Sequence, residues 1–191
     1  MKKTLLLLVA CLQMHFLPGA ENTKPAAADP RFSLTALAGL RTFQNNDFAL
    51  VYHGSQPVFG LEIGRRLGRR VEVFFSADHL VADGELTHTK EATTLRLTAL
   101  EGGARLAFPL GRLVPYLGAG LGYYLVKEEN VIGTLDEKQA GFFTLAGLRF
   151  RVVKSLFAEI RLKYAFLSLK PFSRSVDLGG FFAGGGIGVA F

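Results

Sequence analysis

Residues 156–166 read LFAEIRLKYAF, and apolar and charged side chains alternate along this stretch. Successive side chains of a β-strand point to opposite faces, so Glu159, Arg161 and Lys163 would share one face. The other face would carry the apolar set Leu156, Ala158, Ile160, Leu162, Tyr164 and Phe166. A membrane-crossing strand needs this arrangement, with lipid outside and polar filling inside. A half-buried strand of a soluble sheet shows the same alternation, so a single segment does not decide between the two.

The same alternation recurs in other segments of the chain. The apolar sets are Phe59, Leu61 and Ile63; Val71, Val73, Phe75 and Ala77; Leu117, Ala119, Leu121, Tyr123 and Leu125; and Ala146, Leu148 and Phe150. The opposite positions carry charges or glycines, namely Gly60, Glu62, Gly64, Glu72, Asp78, Gly118, Gly120, Gly122, Gly147, Arg149 and Arg151. Inward-facing glycines would give bulky neighbours the room they need in a narrow barrel.

Eight such segments follow one another, at about 32–43, 57–67, 71–80, 93–108, 114–126, 140–152, 156–167 and 177–191. Tight connections at 68–70, 109–113 and 153–155 alternate with long polar ones at 44–56, 81–92, 127–139 and 168–176. This asymmetry is typical of outer-membrane barrels, whose periplasmic turns are short and whose exterior loops are long. Past residue 30 no window approaches the ~18 apolar residues of a spanning helix. The sequence therefore predicts an all-β fold, an eight-stranded antiparallel transmembrane β-barrel with up-and-down topology.

The segment 93–108 breaks the pattern. Leu95 and Leu97 share a phase with Glu101 and Arg105, whereas Leu106 takes the other phase. One explanation is a β-bulge at Gly102 and Gly103 that resets the alternation. The other is that the outer part of this strand rises above the bilayer.

The first 30 residues predict export rather than structure. Residues 1–20, MKKTLLLLVACLQMHFLPGA, read as a signal peptide, with two lysines, an apolar run and a small-residue end. Residues 21–30 read as a disordered leader, and 31–191 as the barrel domain. Cleavage is expected after Ala20, with 26–28 as a second possible site. Cys11 also lies in a lipobox-like LVAC, so a lipidated N-terminus is an alternative.

A polar interior in a narrow barrel must pair its charges, because an unpaired buried ion is costly. We therefore expect an internal charge network of Glu62, Glu72, Glu101, Arg105, Arg149, Arg151, Glu159, Arg161 and Lys163. Aromatic residues at strand ends on the short-turn side predict a girdle of Phe32, Phe108, Phe150 and Phe191. A second girdle near the long loops would draw on Phe43, Phe75, Tyr124, Phe142, Tyr164, Phe166 and Phe181.

The C-terminal stretch GGFFAGGGIGVAF spaces Gly186, Val189 and Phe191 as in the assembly signal of outer-membrane barrels. With FGLEIGRRL, LEGGARLAFPLGRLVPYLGAGLGYYLV and LAGLRFRV, it resembles the small barrel family that includes the OmpA transmembrane domain, OmpX and OmpW. The resemblance covers about 32–191 and implies a location in the cell outer membrane. It also implies contact with outer-membrane lipid and lipopolysaccharide, and insertion by the barrel-assembly machinery. It does not carry a particular activity, because one fold hosts many functions.

Several function classes find little support. Without Lys2 and Lys3 the chain has 20 basic against 16 acidic residues, scattered singly, which does not indicate nucleic-acid binding. His53, His79 and His88 lack the spacing of a metal site, and no cofactor is expected. Eight strands leave an interior just wide enough for side chains, which excludes a wide pore.

The leading hypothesis is a non-enzymatic integral barrel that acts through an unknown extracellular ligand. Its loops would carry the recognition, especially QNNDFALVYHGSQP (44–57) and KEENVIGTLDEKQ (127–139). One alternative is a lipid A-modifying enzyme built on Ser76, Asp78 and His79, and another is a narrow solute channel past Arg105, Arg149 and Arg161. A soluble periplasmic barrel of lipocalin type is the remaining rival, with apolar residues inside and charges outside.

Overall fold

The computed structural model describes residues 31–44, 50–52, 54–85, 91–130, 133–169, 176–177 and 179–191. The expected signal peptide (1–20), leader (21–30), Cys11, His53 and His88 lie outside these described residues. Within the described ranges, no helix has both the length and the hydropathy that crossing a membrane requires.

Eight long strands form one closed antiparallel barrel, which confirms the expected fold. The strands are β1 (Phe32–Phe43), β2 (Ser55–Arg66), β3 (Val71–Glu85), β4 (Ala92–Ala107), β5 (Leu113–Asn130), β6 (Gly133–Arg151), β7 (Leu156–Phe166) and β10 (Gly180–Ala190). A two-residue pair, β8 (Ser168–Leu169) and β9 (Val176–Asp177), forms a separate small sheet between β7 and β10. Each long strand pairs with its neighbour in sequence, and β10 pairs with β1 to close the barrel. At the seam, Phe32 and Phe191 exchange two backbone hydrogen bonds of 2.8 and 2.9 Å.

The two ends of the barrel differ as the sequence indicates, but strands occupy part of 81–92 and most of 127–139, two segments predicted to be long connections. Tight connections join β2 to β3, β4 to β5 and β6 to β7. At the other end, β5 and β6 pair up to Asn130 and Gly133, so most of 127–139 is strand and the interpretation as an exterior loop is wrong. Polar residues occupy both faces of this hairpin, and an apolar alternation therefore cannot reveal it.

The outer wall of the barrel is apolar and exposed. Representative outward side chains are Leu34, Leu61, Phe75, Leu106, Leu121, Leu148, Ile160 and Ile187. Between Arg65 at the short-turn end and Arg96, Lys127 and Lys138 at the loop end, no described outward position carries a charge. A lipocalin-type barrel needs the opposite arrangement. An apolar band of this kind is the lipid-facing surface of a membrane-spanning barrel.

The unusual phase of β4 has a simple cause. Its register with β3 runs unbroken from Ala92 to Leu106, so the proposed bulge at Gly102 and Gly103 is absent. Leu95 and Leu97 are buried and face inward, in the same phase as Glu101 and Arg105. The outward residues at this height are polar, namely Thr94, Arg96 and Thr98. The strand therefore continues above the apolar band, and its upper inward positions line an apolar layer of the interior.

Inward glycines make room for aromatic rings inside the barrel. A Cβ built on Gly147 would overlap the ring and hydroxyl of Tyr116 and would lie 2.6 Å from the Ile160 carbonyl oxygen. A Cβ built on Gly122 would likewise lie only 2.7 to 2.8 Å from ring and hydroxyl atoms of Tyr124. By contrast, a Cβ on the outward Gly102 would meet nothing closer than 3.9 Å.

This difference predicts a position-dependent effect of adding one methyl group. Gly147→Ala should lower the free energy of unfolding by about 1–3 kcal/mol, because Tyr116 must shift from its place. The matched control Gly102→Ala should leave stability nearly unchanged. Urea titrations of both variants in lipid vesicles measure this, and equal stabilities would contradict the packing described here.

Candidate functional site: the charged interior

Three arginines and three glutamates form a closed, alternating ring across the lower interior. Its six ion pairs are Arg105–Glu62 (2.8 Å), Arg105–Glu72 (2.7 Å), Arg149–Glu72 (3.3 Å), Arg149–Glu159 (3.2 Å), Arg161–Glu159 (2.5 Å) and Arg161–Glu62 (2.7 Å). Each guanidinium contacts two carboxylates, and each carboxylate contacts two guanidiniums. The ring therefore has no net charge.

The strand registers place the members of this ring. Glu72 on β3 lies opposite Arg105 on β4, and Arg149 on β6 lies opposite Glu159 on β7, so two of the pairs are direct cross-strand neighbours. Glu62 on β2 completes the ring by reaching across the lumen to both Arg105 and Arg161. A planar guanidinium suits this role, because its donors fork toward two acceptors at once.

Hydroxyl and aromatic groups surround the ring. Tyr116 donates a hydrogen bond from its hydroxyl to Glu159 (3.2 Å) and accepts one from Nε of Arg161 (3.3 Å). Ser33 donates to Glu72 at 3.1 Å. The Arg149 guanidinium lies 4.1 Å from the centre of the Phe157 ring, a cation–π contact. These contacts hold the charges in place and help to replace the water that burial removes.

A second charge cluster lies above the ring. Nζ of Lys163 lies 2.6 Å from Asp78 and 2.5 Å from Glu101, and Tyr124 donates to the other oxygen of Glu101 at 2.9 Å. The buried guanidinium of Arg41 stacks near the Tyr124 ring, 5.8 Å from its centre. A small cavity borders Arg41, Asp78 and Lys163 and has room for about one water molecule.

An apolar layer closes the interior at the loop end. Leu80, Leu95, Leu97 and Val126 pack here. Tyr52, from the segment between β1 and β2, is fully buried against them, and its hydroxyl lies 3.3 Å from that of Thr93. Burial raises the pKa of the Tyr52 hydroxyl, so the group stays neutral. Residues 50–52 of the first connection thus lie over the lumen.

The structure brings together most of the expected network. Eight of the nine residues lie in the ring or in the Lys163 cluster: Glu62, Glu72, Glu101, Arg105, Arg149, Glu159, Arg161 and Lys163. Arg151 is the exception. It shares the face of Arg149 but lies one inward position nearer the short-turn end, and among the described residues no ion pair joins it to the ring.

Sequence reasoning placed Asp78 opposite the apolar face but left it out of the network, and it did not identify Tyr116, Tyr124 or Arg41 as interior residues. Asp78 has the inward phase of Glu72, and Tyr116 and Tyr124 have the phase of the β5 glycines. The alternation therefore indicates that all three side chains face the interior. Arg41 follows Ser33 and Thr35 on the inward face of β1. Because the inward residues of this strand are only weakly polar, the alternation between its two faces is hard to recognise in the sequence. Phe43 and Tyr124 are buried inside the barrel, so their assignment to a loop-side girdle is wrong.

The possible enzymatic triad does not assemble. Ser76 and Asp78 are buried in the lumen, where Asp78 pairs with Lys163. His79 points outward, and its Nδ1 lies 2.9 Å from the Thr98 hydroxyl. A nucleophile, base and orienting group must be within hydrogen-bond reach of each other, and these three side chains face opposite sides of the wall. Among the residues described, no group of His, Cys, Asp and Glu has the arrangement of a metal site.

The residues of the expected girdle lie exposed on the outer surface at the short-turn end: Phe32, Phe108, Phe150 and Phe191. Phe32 and Phe191 stack across the seam with ring centres 6.2 Å apart. Of the expected assembly signal, Val189 and Phe191 face outward, whereas Gly186 faces inward against Thr35 and Leu37. Recognition by the assembly machinery stays a prediction.

Several solved barrels share this fold. Neisserial surface protein A is 16% identical with a TM-score of 0.63, and the match covers 84% of this chain and 97% of that one. Ail of Yersinia pestis, solved with the heparin analogue sucrose octasulfate, is 14% identical with a TM-score of 0.53, covering 84% and 99%. Outer Membrane Protein W of E. coli is 14% identical with a TM-score of 0.51, covering 87% and 100%. No family model and no curated protein sequence matches the chain. The likeness therefore lies in the fold, which is that of the small outer-membrane barrels.

The ring predicts a large penalty for removing one of its charges. Arg161→Met leaves Glu62 and Glu159 with one partner fewer each in a buried site, and should destabilise the barrel by about 3–5 kcal/mol. The double variant Glu62→Gln/Arg161→Met should recover part of this loss, since it removes the excess negative charge. Urea unfolding in lipid vesicles measures both effects.

The matched control is a solvent-exposed ion pair whose N–O distance equals that of Arg161 and Glu159. Nζ of Lys127 lies 2.5 Å from Glu129, and both side chains are exposed. Lys127→Met should leave the unfolding midpoint unchanged, because exposed pairs contribute little. A loss of stability similar to that of Arg161→Met would mean that burial is not what makes the ring important.

Proposed function

We propose that this chain, an integral outer-membrane β-barrel by its fold and its apolar wall, acts without conducting solutes or catalysing a reaction. It would work through the polar surface at its loop end. The observation that supports this proposal best is the filled interior, in which the ion-pair ring, the Lys163 cluster and the apolar layer follow one another from end to end.

A solute path through the barrel would have to disrupt this filling. The three arginines suggested as a channel lining, Arg105, Arg149 and Arg161, are each held by two carboxylates. Opening a path past them would separate buried opposite charges, which is costly in a medium of low polarity. Above them, Tyr52 and its apolar neighbours would also have to move.

The loop end instead offers a polar β-structured surface. Strands β3 to β6 continue beyond the apolar band, with Asp83, Thr94, Lys127 and Asp136 facing outward. Arg96 and Lys127 lie directly opposite each other on β4 and β5. Lys127 already pairs with Glu129 at 2.5 Å, and Asp136 lies opposite it on β6, so neighbouring carboxylates balance the outward cations of this rim.

Recognition of an extracellular partner would take place beyond that rim. The protruding hairpin of β5 and β6 is held by regular pairing from Lys127↔Asp136 to Asn130↔Gly133, which gives a binding surface a fixed shape. Between β1 and β2, residues 50–52 are anchored by Tyr52, whose carbonyl oxygen accepts a hydrogen bond from Gln56. A catalytic role has no comparable support, because Ser76 and His79 face opposite sides of the wall.

Planar-bilayer recording tests the closed interior. We expect folded protein to show no steady single-channel conductance, because the side chains described fill the lumen. Heat-unfolded protein is the control for non-specific leaks. A steady conductance that appears only with folded protein would refute the proposal in favour of a narrow channel.

Lipid A profiling tests the absence of catalysis. Mass spectra of lipid A from cells with and without the gene should be identical, and so should those from cells carrying Ser76→Ala. A modification that depends on the gene and disappears in Ser76→Ala would establish an enzyme.

A further inference from the structure

The short-turn end of the barrel is strongly basic. The three turns and their flanking strand ends read RRLGRR (65–70), FPLGR (108–112) and FRVVK (150–154), and Arg31 precedes β1. These three stretches contain no aspartate or glutamate. Arg65, Arg69, Arg112 and Lys154 are exposed, and none belongs to the buried ion-pair ring. This end of the molecule therefore presents a positive surface that the proposed function does not use.

Each turn combines its cations with an exposed aliphatic side chain. Leu67 is 59% exposed in the first turn, Leu110 is 68% exposed in the second and Val153 is 57% exposed in the third. Exposed aliphatic tips are unfavourable in water. Next to cations they form an amphipathic edge, which is the composition of segments that lie in a membrane interface.

The position of these residues next to the apolar band also indicates that they lie in a membrane interface. Arg65 is the last outward residue of β2, directly after Phe59, Leu61 and Ile63. Its guanidinium lies 5.5 Å from the centre of the Phe32 ring, within the aromatic girdle. A long cationic side chain at this depth reaches outward to the headgroup level while its stem stays in contact with apolar surface.

The cations are also distributed around the whole circumference. The turns join β2 to β3, β4 to β5 and β6 to β7, and Arg31 lies beside the seam of β1 and β10. A protein partner would contact one sector of such a rim. A lipid leaflet surrounds the barrel and contacts every sector, so the even distribution favours lipid.

We propose that this basic rim, defined by Arg31, Arg65, Arg69, Arg112 and Lys154, binds the phosphate groups of anionic phospholipids in the leaflet on the short-turn side. Guanidinium groups bind phosphate through paired hydrogen bonds. Leu67, Leu110 and Val153 would enter the boundary between headgroups and acyl chains. The proposal rests on the membrane placement of the barrel and is independent of what the loop end recognises.

Lipid selectivity of the intact protein tests this inference. The chain is folded into phosphatidylcholine vesicles that contain spin-labelled phosphatidylglycerol or spin-labelled phosphatidylcholine as the probe. The motionally restricted fraction of each probe gives its relative affinity for the barrel surface. The rim variant Arg69→Gln/Arg112→Gln/Lys154→Gln removes one cation from each turn.

A matched control removes three cations from the opposite end. Arg96→Gln/Lys127→Gln/Lys138→Gln changes the same number of outward charges, above the other edge of the apolar band. A difference in gel mobility between boiled and unboiled samples verifies that each variant is folded. We expect the wild type and the control to prefer phosphatidylglycerol severalfold, and the rim variant to lose most of this preference. High salt should weaken the preference, because exposed charges are screened.

Three results would overturn the proposal. One is an unchanged preference in the rim variant, and another is an equal loss in both variants, which would indicate total charge rather than the rim. The third is a wild type that shows no lipid preference but co-sediments with purified peptidoglycan in a rim-dependent way, which would make the cell wall the partner. A conducting barrel or a lipid A-modifying activity would refute the proposed function without affecting any of these measurements.

Discussion

An outer wall in contact with lipid cannot carry charges, and this constraint determines the rest of the structure. Because each strand alternates between wall and lumen, its charged side chains face a lumen too narrow to hydrate them. They must therefore neutralise one another. The ring of Arg105, Arg149, Arg161 and three glutamates does so completely, since each member contacts two opposite charges. The same neutralisation that makes burial tolerable also fills the space through which a solute would pass.

The ring also ties together strands that are distant in sequence. Glu62 and Arg161 are separated by 99 residues, and their pairing requires that the barrel be closed with every intervening register correct. A shift of one residue in any strand would turn its charges to the lipid and its apolar residues to the lumen. A shift of two residues would keep every side chain on its face, so apolar burial alone does not exclude it, whereas it would break the ion pairs of the ring. We therefore regard the ring as a determinant of register as well as of stability.

The sequence predicted the fold because the period of two is strong wherever one face contacts lipid. It identified the inward charges Glu62, Glu72 and Arg161 for the same reason. It failed where the surroundings change along a strand. Leu95 and Leu97 face inward because the upper lumen is apolar, and the hairpin around Asn130 is polar on both faces because water surrounds it. Which charges meet across the lumen also depends on strand registers, which alternation does not encode, so the expected charge network includes Arg151, which does not join the ring.

The two ends of the barrel have different surroundings. At the loop end the strands of β3 to β6 continue into water, and their cations lie among anions such as Asp83 and Glu129. At the short-turn end the three turns hold no aspartate or glutamate to balance their cations, and RRLGRR and FRVVK place cations and aliphatic tips together. A surface in free solution gains nothing from such a combination. At a membrane interface the aliphatic groups contact acyl chains, and the guanidiniums contact phosphate groups a few ångströms away. On these proposals the turns are part of the membrane anchor, and the opposite end would carry recognition.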